Sequence, residues 1–95
     1  MNKYEAMFIV RPDLSEDERK ALFGQIGDAV TKASGSVSDA SVWSERKRLL
    51  FPIKKQQDGV YYLMNFNANP SSIADIRPIY KLNENILRVL ITRVG

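Results

Sequence analysis

Segments of strand and helix character follow one another in the order strand, helix, strand, strand, helix, strand, and that order leaves the chain very few folds. Residues 4–11 (Tyr-Glu-Ala-Met-Phe-Ile-Val-Arg) are rich in strand-forming residues and stop at Pro12-Asp13, a turn signal. Ser15-Glu16-Asp17-Glu18 then has the form of a capping box. The Ser15 hydroxyl can accept from the Glu18 backbone N–H while the Glu18 carboxylate accepts from the N–H of Ser15. Leu22, Ile26, Ala29, Val30 and Ala33 recur at helical spacing and predict a helix over 16–34. Lys32 suits its C-terminal end, and Gly35 is expected to take the left-handed conformation that stops it.

A second strand is expected over 37–50, with its register open around Ser44-Glu45 and its extent limited by Pro52, which cannot donate to a ladder. Residues 54–59 look like a polar turn with Asp58-Gly59 as its hairpin signal. Residues 60–67 form the third strand. Asn69 and Pro70 supply the cap and first position of a second helix, with Ile73, Ile76 and Tyr80 as its apolar stripe. Pro78 lies inside that helix and is expected to kink or shorten it. Asn83-Glu84-Asn85 ends it, and residues 86–94 form the fourth strand. The fold class is therefore α+β, with the β-α-β-β-α-β order of ferredoxin-like folds. Right-handed crossovers place both helices on one face of a four-stranded antiparallel sheet and leave the other face bare.

Side chains alternate across a strand, so the position of the charges fixes each strand's phase. Tyr4, Ala6, Phe8 and Val10, then Tyr62, Met64 and Phe66, then Leu87, Val89 and Ile91 are free of charge and should pack under the helices. The bare face then presents Met7, Ile9, Tyr61, Leu63 and Leu90, ringed by Glu5, Arg11, Asn65 and Arg88. An apolar centre with a polar rim is the make-up of a protein-partner surface, although a half-exposed sheet of ordinary apolar content has the same composition.

Ninety-five residues suit one domain, 1–95, and 44% hydrophobic residues suffice for a core. Fourteen Lys and Arg against eleven Asp and Glu give a net charge of +3, which permits a polyanionic partner without requiring one. The chain has no cysteine and no histidine, so disulfides, thiolate chemistry, His-based triads and the usual zinc sites are excluded. Gly24 and Gly27 fall within the first helical pattern and start no phosphate-binding loop. The acids of 13–18 are accounted for by helix capping. An acyl-phosphate hydrolase on this fold would need a phosphate cradle after the first strand, where Arg11-Pro12-Asp13-Leu14 offers no glycine and a repelling carboxylate. No enzyme, metal, cofactor or small-molecule substrate is expected. No apolar run approaches the roughly 20 residues of a membrane-spanning helix, and a cytoplasmic location is expected.

Arg46-Lys47-Arg48-Leu49-Leu50-Phe51-Pro52-Ile53-Lys54-Lys55 places five cations around an apolar run with no acid among them. Such a segment can neutralise several phosphates, or it can protect an edge strand from pairing with other sheets. Arg11, Arg88 and Arg93 lie on or near the sheet and extend the basic surface. Trp43, the sole tryptophan, could stack on a base, but packing at the sheet's end is the commoner role, and Tyr61 is the better base-stacking candidate. The aromatic pair of an RRM on the first and third strands is missing, because Met7 and Ile9 stand there, so readout of single-stranded RNA across the sheet is disfavoured and protein–protein contact suits this face better.

Taken in order, Tyr4-Glu5, then Ile9-Val10-Arg11-Pro12-Asp13-Leu14-Ser15, then Arg46-Lys47-Arg48-Leu49 leading into Phe51-Pro52-Ile53-Lys54-Lys55, and Leu82-Asn83-Glu84-Asn85-Ile86-Leu87-Arg88 resemble the bacterial small-subunit ribosomal protein S-six (S6) family over nearly the whole chain. The resemblance implies a structural constituent of the small ribosomal subunit that binds small-subunit rRNA together with ribosomal protein S-eighteen (S18). It assigns Arg46, Lys47, Arg48, Lys54, Lys55, Arg88 and Arg93 to rRNA. The alternative is a protein-interaction module of the same fold that never touches RNA. Where the family usually has Trp-Gly, this chain has Trp43-Ser44-Glu45 and is one residue longer, which suggests a bulge. It also stops at Gly95, without the charged tail of many relatives.

Overall fold

A computed structural model describes residues 1–53 and 56–94, with the backbone alone considered at Arg46, Lys47, Leu50 and Pro52. The elements are β1 (Asn2–Val10), α1 (Glu16–Lys32), β2 (Ser36–Ile53), β3 (Gln56–Ala68), α2 (Pro70–Leu82) and β4 (Ile86–Val94). The strands form one antiparallel sheet in the order β2-β3-β1-β4, the ferredoxin-like arrangement the element order implies.

Both helices cover the same face. Leu22, Ile26, Ala29 and Val30 of α1 and Ile76 and Tyr80 of α2 join Tyr4, Ala6, Phe8, Val10, Tyr62, Met64 and Phe66 in one buried cluster. Phe8 meets Tyr80 edge-on with ring centroids 4.9 Å apart, and Phe23 stacks on Tyr62 at 3.8 Å. Burial pushes the Tyr80 phenol above its ordinary pKa, which keeps its proton in place for the bond to the Ile26 carbonyl between the helices.

The capping box forms as the spacing predicts. Glu18 N–H donates to Ser15 Oγ at 3.2 Å, and Ser15 N–H donates to Glu18 Oε1 at 3.0 Å. The other end of α1 differs by one residue from expectation. Ser34, not Gly35, adopts the left-handed conformation, with φ 64°. Ser34 N–H reaches the Thr31 carbonyl at 3.1 Å and Gly35 N–H the Val30 carbonyl at 2.9 Å, the paired bonds of a Schellman motif. Gly35 is required for a different reason. A Cβ there would come within 2.6 Å of the Asn67 carbonyl oxygen and 2.8 Å of Val30 Cγ1.

Asn69 stands at the N-cap of α2 and Pro70 at its first position, although the Asn69 side chain makes no capping bond. Pro78 does not shorten α2, which runs unbroken to Leu82. Both Pro78 and Ala74, whose carbonyl loses its usual donor, are exposed, so water can replace that bond.

Three corrections concern the sheet. Pro52 does not end β2, because β2 is an edge strand and tolerates proline. Asp58-Gly59 is not the turn. Arg48 pairs with Asp58, Lys47 with Gly59 and Ile53 with Gln56, so Asp58 and Gly59 lie within β3, and the Lys54 and Lys55 part of the expected turn is outside the described residues. Leu87 is not under the helices. Ile9 opposes Arg88 but Val10 opposes Ile86, so Leu87 is an inserted bulge residue on the bare face and Ile86 takes the inward place.

Candidate functional site

The register orders the bare face into transverse rows. Leu63 of β3, Met7 of β1 and Leu90 of β4 lie opposite one another, with Ser41 of β2 beside Leu63. Met7 and Leu63 are half-buried, and Leu90 is 57% exposed. The row on one side is polar throughout: Asp39, Asn65, Glu5 and Thr92, with the Asn65 amide donating to Asp39 at 2.9 Å. The row on the other side runs Tyr61, Ile9, Arg88. A polar border thus closes the apolar strip on one side, and on the other the apolar surface continues through Ile9 and Tyr61 with Arg88 at its end.

Alternation alone leaves Ile9 open on this face, and here the structure departs from expectation. Ile9 points the expected way but is buried with Leu49 and Leu87 in a second, smaller apolar cluster, against which Ile53 and Tyr61 pack. The cause is β2. Its 18 residues oppose 13 of β3, with register shifts at Val37/Asp39, Val42/Ser44, Ser44/Lys47 and Arg48/Ile53. Each insertion bends and twists the strand, which curls the hairpin across the sheet until Leu49 covers Ile9. Gly59 permits the approach, because a Cβ there would overlap the Ile9 side chain. The shifts on both sides of Ser44 bear out the bulge expected at Trp43-Ser44-Glu45.

That bulge re-aims Trp43. The indole packs on Tyr61 with centroids 5.8 Å apart and a tilt of 58°, yet Trp43 remains 57% exposed. End-of-sheet packing therefore describes it only in part. Sequence reasoning saw the bulge without seeing that it brings a second aromatic ring to the bare face, from β2 rather than β1.

The described cations are not gathered on one surface. Arg88 is exposed on the bare face in the row of Tyr61. Arg48 is exposed beside Asp58, one residue from Leu49 and so on the reverse of the hairpin. Arg93 does not extend this surface. It opposes Tyr4, whose ring lies in the helix-side core, and sits five residues along β4 from Arg88, about 17 Å away. Arg11 is paired with Asp13 at 2.9 and 3.2 Å, and that contact raises its pKa. Arg19 of α1 binds Glu45 at 2.8 Å, a tie between helix and bulged strand that no sequence pattern announced. Arg46 and Lys47 lie within β2, and Lys54 and Lys55 lie outside the described residues.

Two helices on one side of a four-stranded sheet, an apolar strip on the other and a curled basic hairpin define a ferredoxin-like α+β protein with one bare sheet face. The same architecture occurs in the crystal structure of 30S ribosomal protein S6 from Thermotoga maritima, with a TM-score of 0.88 over 98% of this chain and 87% of that one at 22% identity. The small ribosomal subunit protein bS6 of Caldanaerobacter subterraneus subsp. tengcongensis is 37% identical over 93 residues, covering 98% of this chain and 97% of its own. That of Desulforamulus reducens is 34% identical over 95 residues, covering 100% and 99%. Residues 3–93 match the family described as Ribosomal protein S6. The chain belongs to the ribosomal protein S6 family.

Proposed function

We propose that the chain, acting as one domain, is a non-catalytic constituent of the cytoplasmic small ribosomal subunit. It binds small-subunit rRNA through the β2–β3 hairpin and Arg88, and S18 through the strip Leu63-Met7-Leu90. The carrying observation is the hairpin itself: a bulged edge ribbon that carries exposed Arg48 within a stretch, 46–55, holding five cations and no acid. Such groups act on phosphates by charge, and specificity then comes from RNA shape and from the second protein.

Replacing Arg46, Lys47 and Arg48 by Ala should lower rRNA affinity and flatten its dependence on log salt by up to about 2–3 units, since each neutralised phosphate contributes about 0.7–0.9. Filter binding across a salt series reads this directly. An unchanged slope would remove the segment from the RNA site. The apolar strip also supports a second reading, a protein-interaction module that binds no RNA, and the same assay separates the two through the wild-type protein.

A further inference from the structure

We propose that Trp43 and Tyr61 form a stacking platform for one unpaired base of a single-stranded RNA segment, an inference that rests on the rRNA-binding reading above. Tryptophan is on average among the more buried residues, yet this one is 57% exposed and is held on the bare face by a bulge between Val42 and Ser44. Tyr61, half-buried and anchored against the Ile9-Leu49-Leu87 cluster, stands tilted against the indole and limits its swing. Two aromatic rings on neighbouring strands of an open sheet form the kind of surface on which unpaired bases stack without regard to sequence.

Charge decides between RNA and protein as the occupant. The acids of the bare face, Glu5 and Asp39, lie beyond the apolar strip on the far side from Tyr61. Arg88 lies in the Tyr61 row itself, two strands away or roughly 10 Å. Arg46 and Lys47 follow Trp43 in the chain, the neighbouring acid Glu45 is taken up by Arg19 at 2.8 Å, and Asp58 stands opposite Arg48 on the reverse of the hairpin. The Tyr61 row therefore carries a cation and no acid while the row beyond the strip carries two acids, and a polyanion is favoured at the hairpin end of the face. The aromatic pair sits at the favoured end, and the strip Leu63-Met7-Leu90 is left to the protein partner.

Trp43 is the only tryptophan, so indole fluorescence reports this site alone. Titrating the full chain with single-stranded oligoadenylate of about eight nucleotides should quench it saturably, whereas an abasic oligomer of equal length, which keeps the phosphates, should not. In filter binding, which needs no indole, Trp43→Ala and Tyr61→Ala should each weaken oligoadenylate binding about 5- to 150-fold with the salt slope unchanged, and Tyr61→Phe should retain binding. Trp43 is exposed, so its removal leaves the fold standing, and circular dichroism of the variant confirms that. Equal quenching by the abasic oligomer, or wild-type affinity in Trp43→Ala, overturns the platform while a persisting salt slope leaves the rRNA reading intact. Loss of the salt slope in the wild-type protein sinks the reading beneath it. Quenching by S18 but not by oligoadenylate gives the pair to the protein partner and likewise overturns the proposal.

Discussion

Ser34 ends α1 in a conformation that costs an L-residue roughly 1 kcal/mol or more, because its Cβ crowds the backbone at φ 64°. Glycine carries no such penalty there, so Ser34→Gly should raise stability by about 0.5–1 kcal/mol, net of glycine's greater freedom when unfolded. Urea melts of the two proteins measure it, and a destabilised variant would mean that the serine makes a compensating contact. Gly35→Ala should do the opposite, since its methyl meets the Asn67 carbonyl and Val30. The sequence shows why the two roles were confused: a glycine just after a helical run looks the same whether it supplies a left-handed turn or only room. Here the backbone reversal falls on the serine before it, and the glycine serves the close pass of the chain over β3. Gly59 repeats the lesson, with the appearance of a turn glycine and the task of letting Ile9 through.

At the scale of elements, what the sequence made legible follows from local rules and what it hid follows from non-local ones. The cap of α1, the apolar faces of both helices and the phases of β1 and β3 depend on spacing within one segment, and they stand as read. The burial of Ile9, the shift of Leu87 and the exposure of Trp43 all depend on residues inserted in one strand relative to another, which no single segment displays. Of the site, the segment that carries the bulges was legible and the direction in which it turns Trp43 was not. The local rule at α1 can be tested by pH. The Ser15 backbone N–H, and then its hydroxyl, hold the Glu18 carboxyl below its ordinary pKa of 4.5. A carboxylate with a lowered folded-state pKa adds stability that is fully present above 4.5 and is lost as pH falls through the lower, folded value. Glu18→Gln keeps the reciprocal hydrogen bond but has no proton to exchange. The stability gap between wild type and Glu18→Gln should therefore narrow on acidification from about pH 7 to pH 3, and a gap independent of pH would show that the charge adds nothing to the cap.

At the scale of the molecule, the described residues form two apolar clusters of unequal size on opposite faces of one sheet, and that division suits the proposed work. The large cluster joins both helices to the inward apolar residues of the strands and holds most of the buried apolar surface. The small one, Ile9, Leu49 and Leu87, ties only the curled hairpin to the sheet, so the hairpin's position rests on far less burial than the rest of the fold. Leu49 is 8% exposed, and Leu49→Ala should cost about 2 kcal/mol, the lower end for a buried leucine because few neighbours are left around the gap. The distribution of that cost matters more than its size. If the hairpin can open on its own, amide exchange should accelerate in 44–59 and stay unchanged in β1 beneath the helices, whereas Leu22→Ala should accelerate exchange throughout. Uniform acceleration by Leu49→Ala would show instead that both clusters melt as one unit. The local outcome has a consequence for binding: a loosened hairpin keeps its cations, so the salt slope for rRNA should hold while affinity falls, because the ribbon must be ordered again before it can meet the phosphates.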